Sequence, residues 1–184
     1  LGPLEIVRLD VLPTLSLGLV LDDFIHRRML LNGSAGVPHP GSFFGHSSFL
    51  DGQPERVQML KDSGHAMWWA LDTVRLAFWR PLSELTHWLD YQLWPDSPAL
   101  MHAQSVLWYG LLIALLGRLY RQLLPNIRQA HLATLIFAFS SLHMSVVSWI
   151  AARNQLIAAC FTVLAITAYH QWRSHHTWRG QGAA

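Results

Sequence analysis

The chain has 184 residues, the length of one ordinary domain, and its formal net charge at pH 7 is only +2. Charged residues make up 13% of it, apolar residues reach 52%, and there are nine tryptophans; soluble globular proteins carry roughly 25% charged residues. This composition is typical of a membrane protein with aromatic side chains at the lipid interface. The small, scattered charge argues against a nucleic-acid partner, and the single cysteine excludes an intrachain disulfide.

The first apolar run predicts a membrane helix over residues 4–21, although Pro13 lies inside it and charged residues occupy its first turns. A proline is tolerated in such a helix where neighbours satisfy the freed carbonyl. Either those charges lie at the interface, or the beginning of the helix is missing. Because the chain starts at Leu1 and not at Met, we expect a fragment or a trimmed product of a longer protein.

Residues 22–98 form a long second segment that starts with two adjacent carboxylates, Asp22 and Asp23. A loop rich in Gly, Pro, Ser and His covers 32–54. We expect two amphipathic helices to follow on the membrane surface. The first covers residues 63–79 with its Trp and Phe side chains in the interface, and the second begins after Pro81 with leucines along one face, at 82, 85, 89 and 93. The alternative is a small soluble subdomain that packs against itself.

Three uncharged runs predict further membrane helices over 99–117, 132–150 and 155–172. Nineteen residues of helix cover about 28 Å, close to the roughly 30 Å hydrocarbon core of a bilayer. Ser97 and Pro98 suit the N-cap and first helical positions of the first of them. The predicted fold class is therefore an all-α polytopic membrane helix bundle, organised as a single membrane domain over 1–184.

Basic flanks predict the orientation of these helices. Arg118, Arg121 and Arg128 lie between the first two uncharged runs, and a basic stretch follows the last. Short basic flanks face the cytoplasm, so the turn "AARNQ" and the segment 22–98 are expected on the extracytoplasmic side. The 22–98 segment is then a long first extracytoplasmic loop.

Three motifs, in this order, resemble the amino-terminal part of the GT-C class of membrane glycosyltransferases, closest to the protein O-mannosyltransferase-like and tetratricopeptide-linked branches. They are "LDDFIHR", "FWRPLSELTHWLDYQLW" and "LHMSVVSWIAARNQLIAACF". The family's Arg-Pro-Leu helix and its later His…Trp-Ile…Arg turn match residues Arg80, Pro81, Leu82, Asp90, Trp94, His143, Trp149, Ile150 and Arg153. Met144 stands where the family has proline. Members carry many more membrane helices, so their carboxy-terminal half is expected to be absent here.

The resemblance implies transfer of a sugar from a polyprenyl-phosphate-linked donor at the extracytoplasmic face. It favours Asp22 or Asp23 as the catalytic base, and the expected substrate-binding residues are Arg80, Arg153, Asn154 and His102. Arginine suits a lipid phosphate because it binds phosphate oxygens through two parallel hydrogen bonds. The alternatives are a solvated helix end for the acid pair, snorkelling to headgroups for Arg153, and an ion pair with Asp90 for Arg80.

The histidines show no metal-ligand spacing, so no metal or cofactor is expected, with a divalent metal left open. The expected partners are the lipid-linked donor and membrane lipids, and the expected location is a bacterial inner (plasma) membrane. Two other functions compete with the glycosyltransferase. One is a non-catalytic membrane scaffold that keeps the GT-C fold. The other is a transporter subunit, which would need ionisable groups inside its helices.

Overall fold

The computed structural model describes residues 12–32, 47–64 and 66–181, with backbone alone at 12, 32 and 175–181. The described chain is mostly helical. It divides into two compact units, one of Leu1–Leu19 with Ser97–Ala184 and one of Val20–Asp96. The bounds of the second unit, Val20 and Asp96, each differ by two residues from those of the predicted 22–98 segment. The single-domain assignment for 1–184 stays a prediction.

The described residues of the Val20–Asp96 unit form three helices and a small sheet: α1 (Asp23–Asn32), β1 (Ser48–Asp51), α2 (Pro54–Asp62), β2 (Arg75–Ala77) and α3 (Pro81–Leu93). The strands pair antiparallel, with Ser48 opposite Ala77 and Asp51 opposite Arg75. Gly52 ends β1 at φ 84°, and a side chain there would also lie 3.3 Å from the carbonyl oxygen of Thr73. The strands are an addition to the all-helical prediction.

The helix predicted over 63–79 is wrong. Gly64, the second residue after α2, adopts φ 72° and prevents the helix from continuing, and the Ser63 and Gly64 N–H groups donate back to carbonyls of α2. Two turns follow, and then β2, which lies within the predicted range, pairs with β1. Pairing of Arg75–Ala77 with β1 outweighs the local helical pattern of this stretch.

The other unit contains two long apolar helices, α4 (Pro98–Leu123) and α7 (Arg153–Gln181). Both Pro98–Leu123 and the stretch Ile150–Ser174 are long and apolar enough to cross a membrane. They confirm the helices predicted over 99–117 and 155–172. Each helix is longer than predicted. The prediction counted only the uncharged residues, and both helices also include arginines near their ends.

The helix predicted over 132–150 is broken. The structure has α5 (Ile127–Ala138), a 3₁₀ turn (Ser141–His143) and α6 (Met144–Val147), bent by 45° at the break. The pair counts as a third membrane span when its two parts are taken together. At the break, the Tyr109 hydroxyl of α4 donates to the carbonyl oxygen of Ala138 at 3.0 Å. A side chain of a neighbouring helix thus satisfies a carbonyl that the break frees, as the apolar interior of a membrane requires.

The membrane helix predicted over 4–21 is wrong for its described part. Leu12–Ser16 is a 3₁₀ turn, and residues 17–20 have no helical structure. Pro13 lacks an N–H for a helical bond, and the Ser16 hydroxyl donates to the Pro13 carbonyl at 2.7 Å, which is a turn contact. Residues 4–11 lie outside the described residues. The 3₁₀ turn packs on α4.

A single apolar core joins α4, the broken pair and α7. Tyr109 lies in it with no solvent exposure, together with apolar side chains of all three parts: Leu112, Ile113, Leu116, Leu119, Ala138, Val147, Leu156, Cys160 and Val163. The core explains why the broken pair keeps its position without a continuous helix.

Replacing Tyr109 by Phe should lower the free energy of unfolding by about 1–3 kcal/mol, because the Ala138 carbonyl at the break loses its donor while the ring is kept. Thermal or denaturant unfolding of the protein in detergent measures this. Tyr169→Phe is the matched control, since Tyr169 is 58% exposed on α7. Equal loss in the two variants would show that the Tyr109 hydroxyl has no such role.

Candidate functional site

The predicted acid pair lies at the start of α1, and its two carboxylates differ in exposure. Asp23 is 1% exposed. Its Oδ2 accepts a hydrogen bond from the Val20 N–H at 2.9 Å, and its own N–H donates to the Val20 carbonyl at 3.0 Å. This reciprocal pair closes the turn that starts the helix, in the manner of a capping box. Asp22 between them is exposed.

The turn that presents this pair is strained. Leu21 adopts φ 48°, a left-handed conformation that costs a non-glycine residue about 1 kcal/mol or more. Its side chain is 70% exposed. The Asp23 contacts with Val20 hold the backbone on both sides of Leu21, so Asp23 stabilises the conformation in which Asp22 is displayed.

The helices α1 and α3 carry five buried ionisable side chains, which together we call the polar cluster: Asp23, His26, Glu84, His87 and Asp90. The rings of His26 and His87 stack at 5.2 Å between centroids and 15° between planes. Glu84 Oε1 accepts from the Ser47 N–H at 2.9 Å, and Asp90 Oδ1 accepts from Trp94 Nε1 at 3.1 Å.

Tyr91 of α3 contacts the backbone of the acid pair. The Tyr91 hydroxyl, one residue after Asp90, donates to the Asp23 carbonyl at 3.4 Å, a long hydrogen bond. Burying ionisable groups costs free energy unless they are hydrogen-bonded, so such clusters occur at functional sites or in networks that fix one packing. Among the described residues, no group of three or more His, Cys, Asp or Glu side chains could hold a metal ion.

Sequence reasoning missed most of this cluster because it followed the leucines of α3. The buried residues of α3 are instead polar at 83, 84, 86, 87 and 90, with Tyr91 beside them. The spacing of 83, 84, 87, 90 and 91 is that of one helical face, so the signal was present in the sequence. The leucines at 82, 85 and 89 are half-buried, and Leu93 is 62% exposed.

Arg80 stands at the N-cap of α3 with its guanidinium carbon 4.3 Å from the centre of the Phe78 ring. The predicted ion pair of Arg80 with Asp90 is wrong, because no ion pair of Arg80 occurs within the described chain. Local cation–π contact with Phe78 replaces it. Arg80 is half-buried.

Near β1, Asp51 pairs with Arg56 at 2.6 Å. Burial raises the pKa of Asp51, but the Gln53 N–H and the Arg56 guanidinium outweigh it, so the net pKa is lower than the ordinary aspartate value. The carboxylate therefore stays ionised at neutral pH and fastens the end of β1 to α2. The Asp51–Arg56 ion pair is a structural contact, and neither residue is among the site residues that the sequence predicts.

The other predicted residues belong to the unit that contains α4 and α7. Arg153 has no solvent exposure, and its donors bond to α4: Nε to Ser105 Oγ at 3.2 Å, one terminal nitrogen to the Met101 carbonyl at 2.8 Å, and the other to Gln104 Oε1. These contacts fasten the start of α7 to the first turns of α4. The alternative in which Arg153 is exposed and snorkels to headgroups is therefore wrong.

His102 and Asn154 flank these contacts in the sequence. His102 has no solvent exposure, and its Nε2 lies 3.2 Å from the Gly18 carbonyl. Its Nδ1 has no hydrogen-bond partner among the described residues. Asn154 is half-buried at the start of α7. The six predicted site residues thus fall into two sets, with Asp22, Asp23 and Arg80 in one unit and His102, Arg153 and Asn154 in the other.

Comparison with known proteins gives no relative for this chain: no family model, no curated protein and no solved structure matches it.

Replacing Arg153 by Lys should lower the free energy of unfolding by about 1–3 kcal/mol for each buried acceptor left without a donor. A lysine keeps the charge but lacks the planar fork that reaches three acceptors. Unfolding in detergent measures this, with Arg118→Lys as the control because Arg118 is exposed on α4. An Arg153→Lys variant as stable as the wild type would show that these hydrogen bonds do not hold α7.

Replacing Asp23 by Ala should cost about 0.5–2 kcal/mol of stability, the ordinary effect of losing a helix-start hydrogen bond. Asp22→Ala, the adjacent exposed position, should stay within about 0.5 kcal/mol of the wild type. The pair serves as its own control, measured by the same unfolding curves. Equal destabilisation by both substitutions would contradict the division of roles between the two carboxylates.

Proposed function

We propose that this chain is the amino-terminal portion of a membrane glycosyltransferase of the GT-C type. It transfers a sugar from a polyprenyl-phosphate-linked donor to an acceptor at the extracytoplasmic face of a bacterial inner (plasma) membrane. The observation that carries the proposal is the exposed Asp22 carboxylate, displayed by the strained Leu21 turn and backed by the buried Asp23. This arrangement lies in a compact unit that the chain joins directly to the membrane-length helix α4.

Asp22 is the base in this proposal. Its carboxylate accepts the proton of the acceptor hydroxyl while that oxygen bonds to the anomeric carbon of the sugar. The bond between that carbon and the carrier phosphate breaks, and its electron pair leaves with the phosphate. Exposure of Asp22 supports this role because a base must reach the hydroxyl proton. Asp23 is a positioning residue, since its Oδ2 is engaged by the Val20 N–H.

Arg80 is the cation we assign to the carrier phosphate. It is half-buried and forms no ion pair in the part of the chain that the structure describes, and it belongs to the same unit as Asp22. Arg153, the first residue of α7, is fully buried against α4, which favours a structural role over the phosphate contact. His102 and Asn154 stay expectations of the resemblance.

The second candidate is a non-catalytic integral membrane scaffold that keeps the GT-C fold. The observation that favours it is that Asp23 and Arg153, two residues expected to act on substrate, both serve structural hydrogen bonds. A scaffold needs such structural contacts, whereas its role does not require the Asp22 carboxylate.

The test is sugar transfer by the full-length protein, reconstituted in vesicles with polyprenyl-phosphate-linked sugars. Asp22→Asn is nearly isosteric and should reduce transfer by at least about 100-fold, the usual scale of a general base, while carrier-lipid binding is retained. Arg80→Ala should weaken carrier binding. Glu55→Gln, an exposed carboxylate of the same unit, is the control and should leave both unchanged.

The outcomes separate the candidates. Wild-type transfer by both Asp22→Asn and Asp23→Asn would show that neither carboxylate is the base. A full-length protein that binds carrier lipid but transfers none of the sugars would favour the scaffold.

A further inference from the structure

Residues 67–80, which we call the tryptophan segment, carry large apolar side chains that the protein leaves in the open. Trp68, Trp69 and Trp79 are 81%, 65% and 88% exposed, and Leu71 is 75% exposed. Met67, Leu76 and Phe78 are also exposed. Isolated exposed apolar residues are ordinary, but a run of this kind in one short stretch of chain marks a surface that contacts something apolar.

The interior of the Val20–Asp96 unit shows the opposite composition. Among its described residues, four apolar side chains are buried: Met29, Leu30, Val57 and Tyr91. Eight polar or charged side chains are buried: Asp23, His26, Ser47, Ser83, Glu84, Thr86, His87 and Asp90. The unit therefore buries polar groups and exposes tryptophan, which is unfavourable in water because burial of apolar area is the main stabilising term of folding.

Two cations accompany the exposed tryptophans. Arg75 and Arg80 lie in the tryptophan segment, and neither forms an ion pair within the described residues. By contrast, Arg27, Arg56 and Lys61 of the same unit have carboxylate partners. Arg75 is exposed and Arg80 is half-buried. Arginine among exposed tryptophan is the composition of a surface that meets lipid phosphates and acyl chains together.

The covalent link between this unit and α4 identifies the lipid bilayer as the apolar phase that the tryptophan segment can reach. The unit ends at Asp96, and α4 begins two residues later at Pro98. At 1.5 Å per residue, the 26 residues of α4 cover about 39 Å, more than the roughly 30 Å hydrocarbon core. When α4 crosses a bilayer, its ends therefore lie in the headgroup region, and the unit is tethered at that depth.

We propose that the tryptophan segment inserts into the boundary between headgroups and acyl chains of the bilayer that α4 crosses. The tryptophan rings take the interface, where an apolar ring with one N–H donor is favoured, and the exposed Arg75 binds a lipid phosphate. The part of the chain that inserts consists of two turns and strand β2, and not of the amphipathic helix that its sequence predicts. The inference does not rest on the proposed glycosyltransferase activity.

The test measures the depth of spin labels in the full chain reconstituted in vesicles of phosphatidylethanolamine and phosphatidylglycerol. Cys160, which is buried, is first replaced by Ser. Leu71→Cys and Ala77→Cys then place labels at exposed positions of the tryptophan segment, and Glu55→Cys and Gln58→Cys place control labels at exposed positions of α2. Power-saturation spectroscopy compares collisions with oxygen, which concentrates in lipid, and with a water-soluble nickel complex.

The two labels of the tryptophan segment should show an oxygen-to-nickel collision ratio several-fold higher than the two control labels. In the same variants, replacing Trp68, Trp69 and Trp79 together by Ser should lower that ratio toward the control value. Equal ratios at all four positions overturn the proposal. Loss of collisions with both reagents at positions 71 and 77 also overturns it, because a second copy of the chain or another protein surface then covers the segment.

Discussion

The contacts of Arg153 are the constraint on which the α4–α7 unit depends. A guanidinium with no solvent exposure must have its donors bonded, and the structure directs them to Ser105, Gln104 and the Met101 carbonyl. These acceptors occupy the first turns of α4, so they set where α7 begins. The cost of leaving such a group unsatisfied is larger than that of a lost apolar contact, which makes this junction less tolerant of change than the apolar core.

The same rule governs the break between α5 and α6. A helix that stops inside an apolar region leaves carbonyls without donors, and Tyr109 of α4 donates to the one at Ala138. The apolar side chains of the core can slide or exchange at moderate cost, whereas Tyr109 and Arg153 bond specific atoms. The polar contacts therefore fix the register of α4 against the broken pair and α7, and the apolar core stabilises the register they fix.

The Val20–Asp96 unit buries polar side chains in its interior. Stacked His26 and His87, with Glu84 and Asp90 on the same face of α3, take the place of a conventional apolar core. A unit of this kind gains little from hydrophobic burial within itself. Insertion of its tryptophan segment into lipid would supply the missing stabilisation.

The sequence by itself determined that the chain is mostly helical and that α4 and α7 are long enough to cross a membrane. The length of an uncharged run can be read from that stretch of sequence alone. The sequence also predicted the acid pair as a candidate site and a helix after Pro81. Only the tertiary structure decided that Asp23 is buried while Asp22 is exposed, that Arg153 bonds to α4, and that the polar face of α3 is the buried one. Those outcomes depend on which groups meet across elements distant in sequence. The same reason explains the failed helix at 63–79, where pairing of Arg75–Ala77 with Ser48–Asp51 outweighed a local pattern, since a strand gains its hydrogen bonds from a partner that its own sequence does not contain.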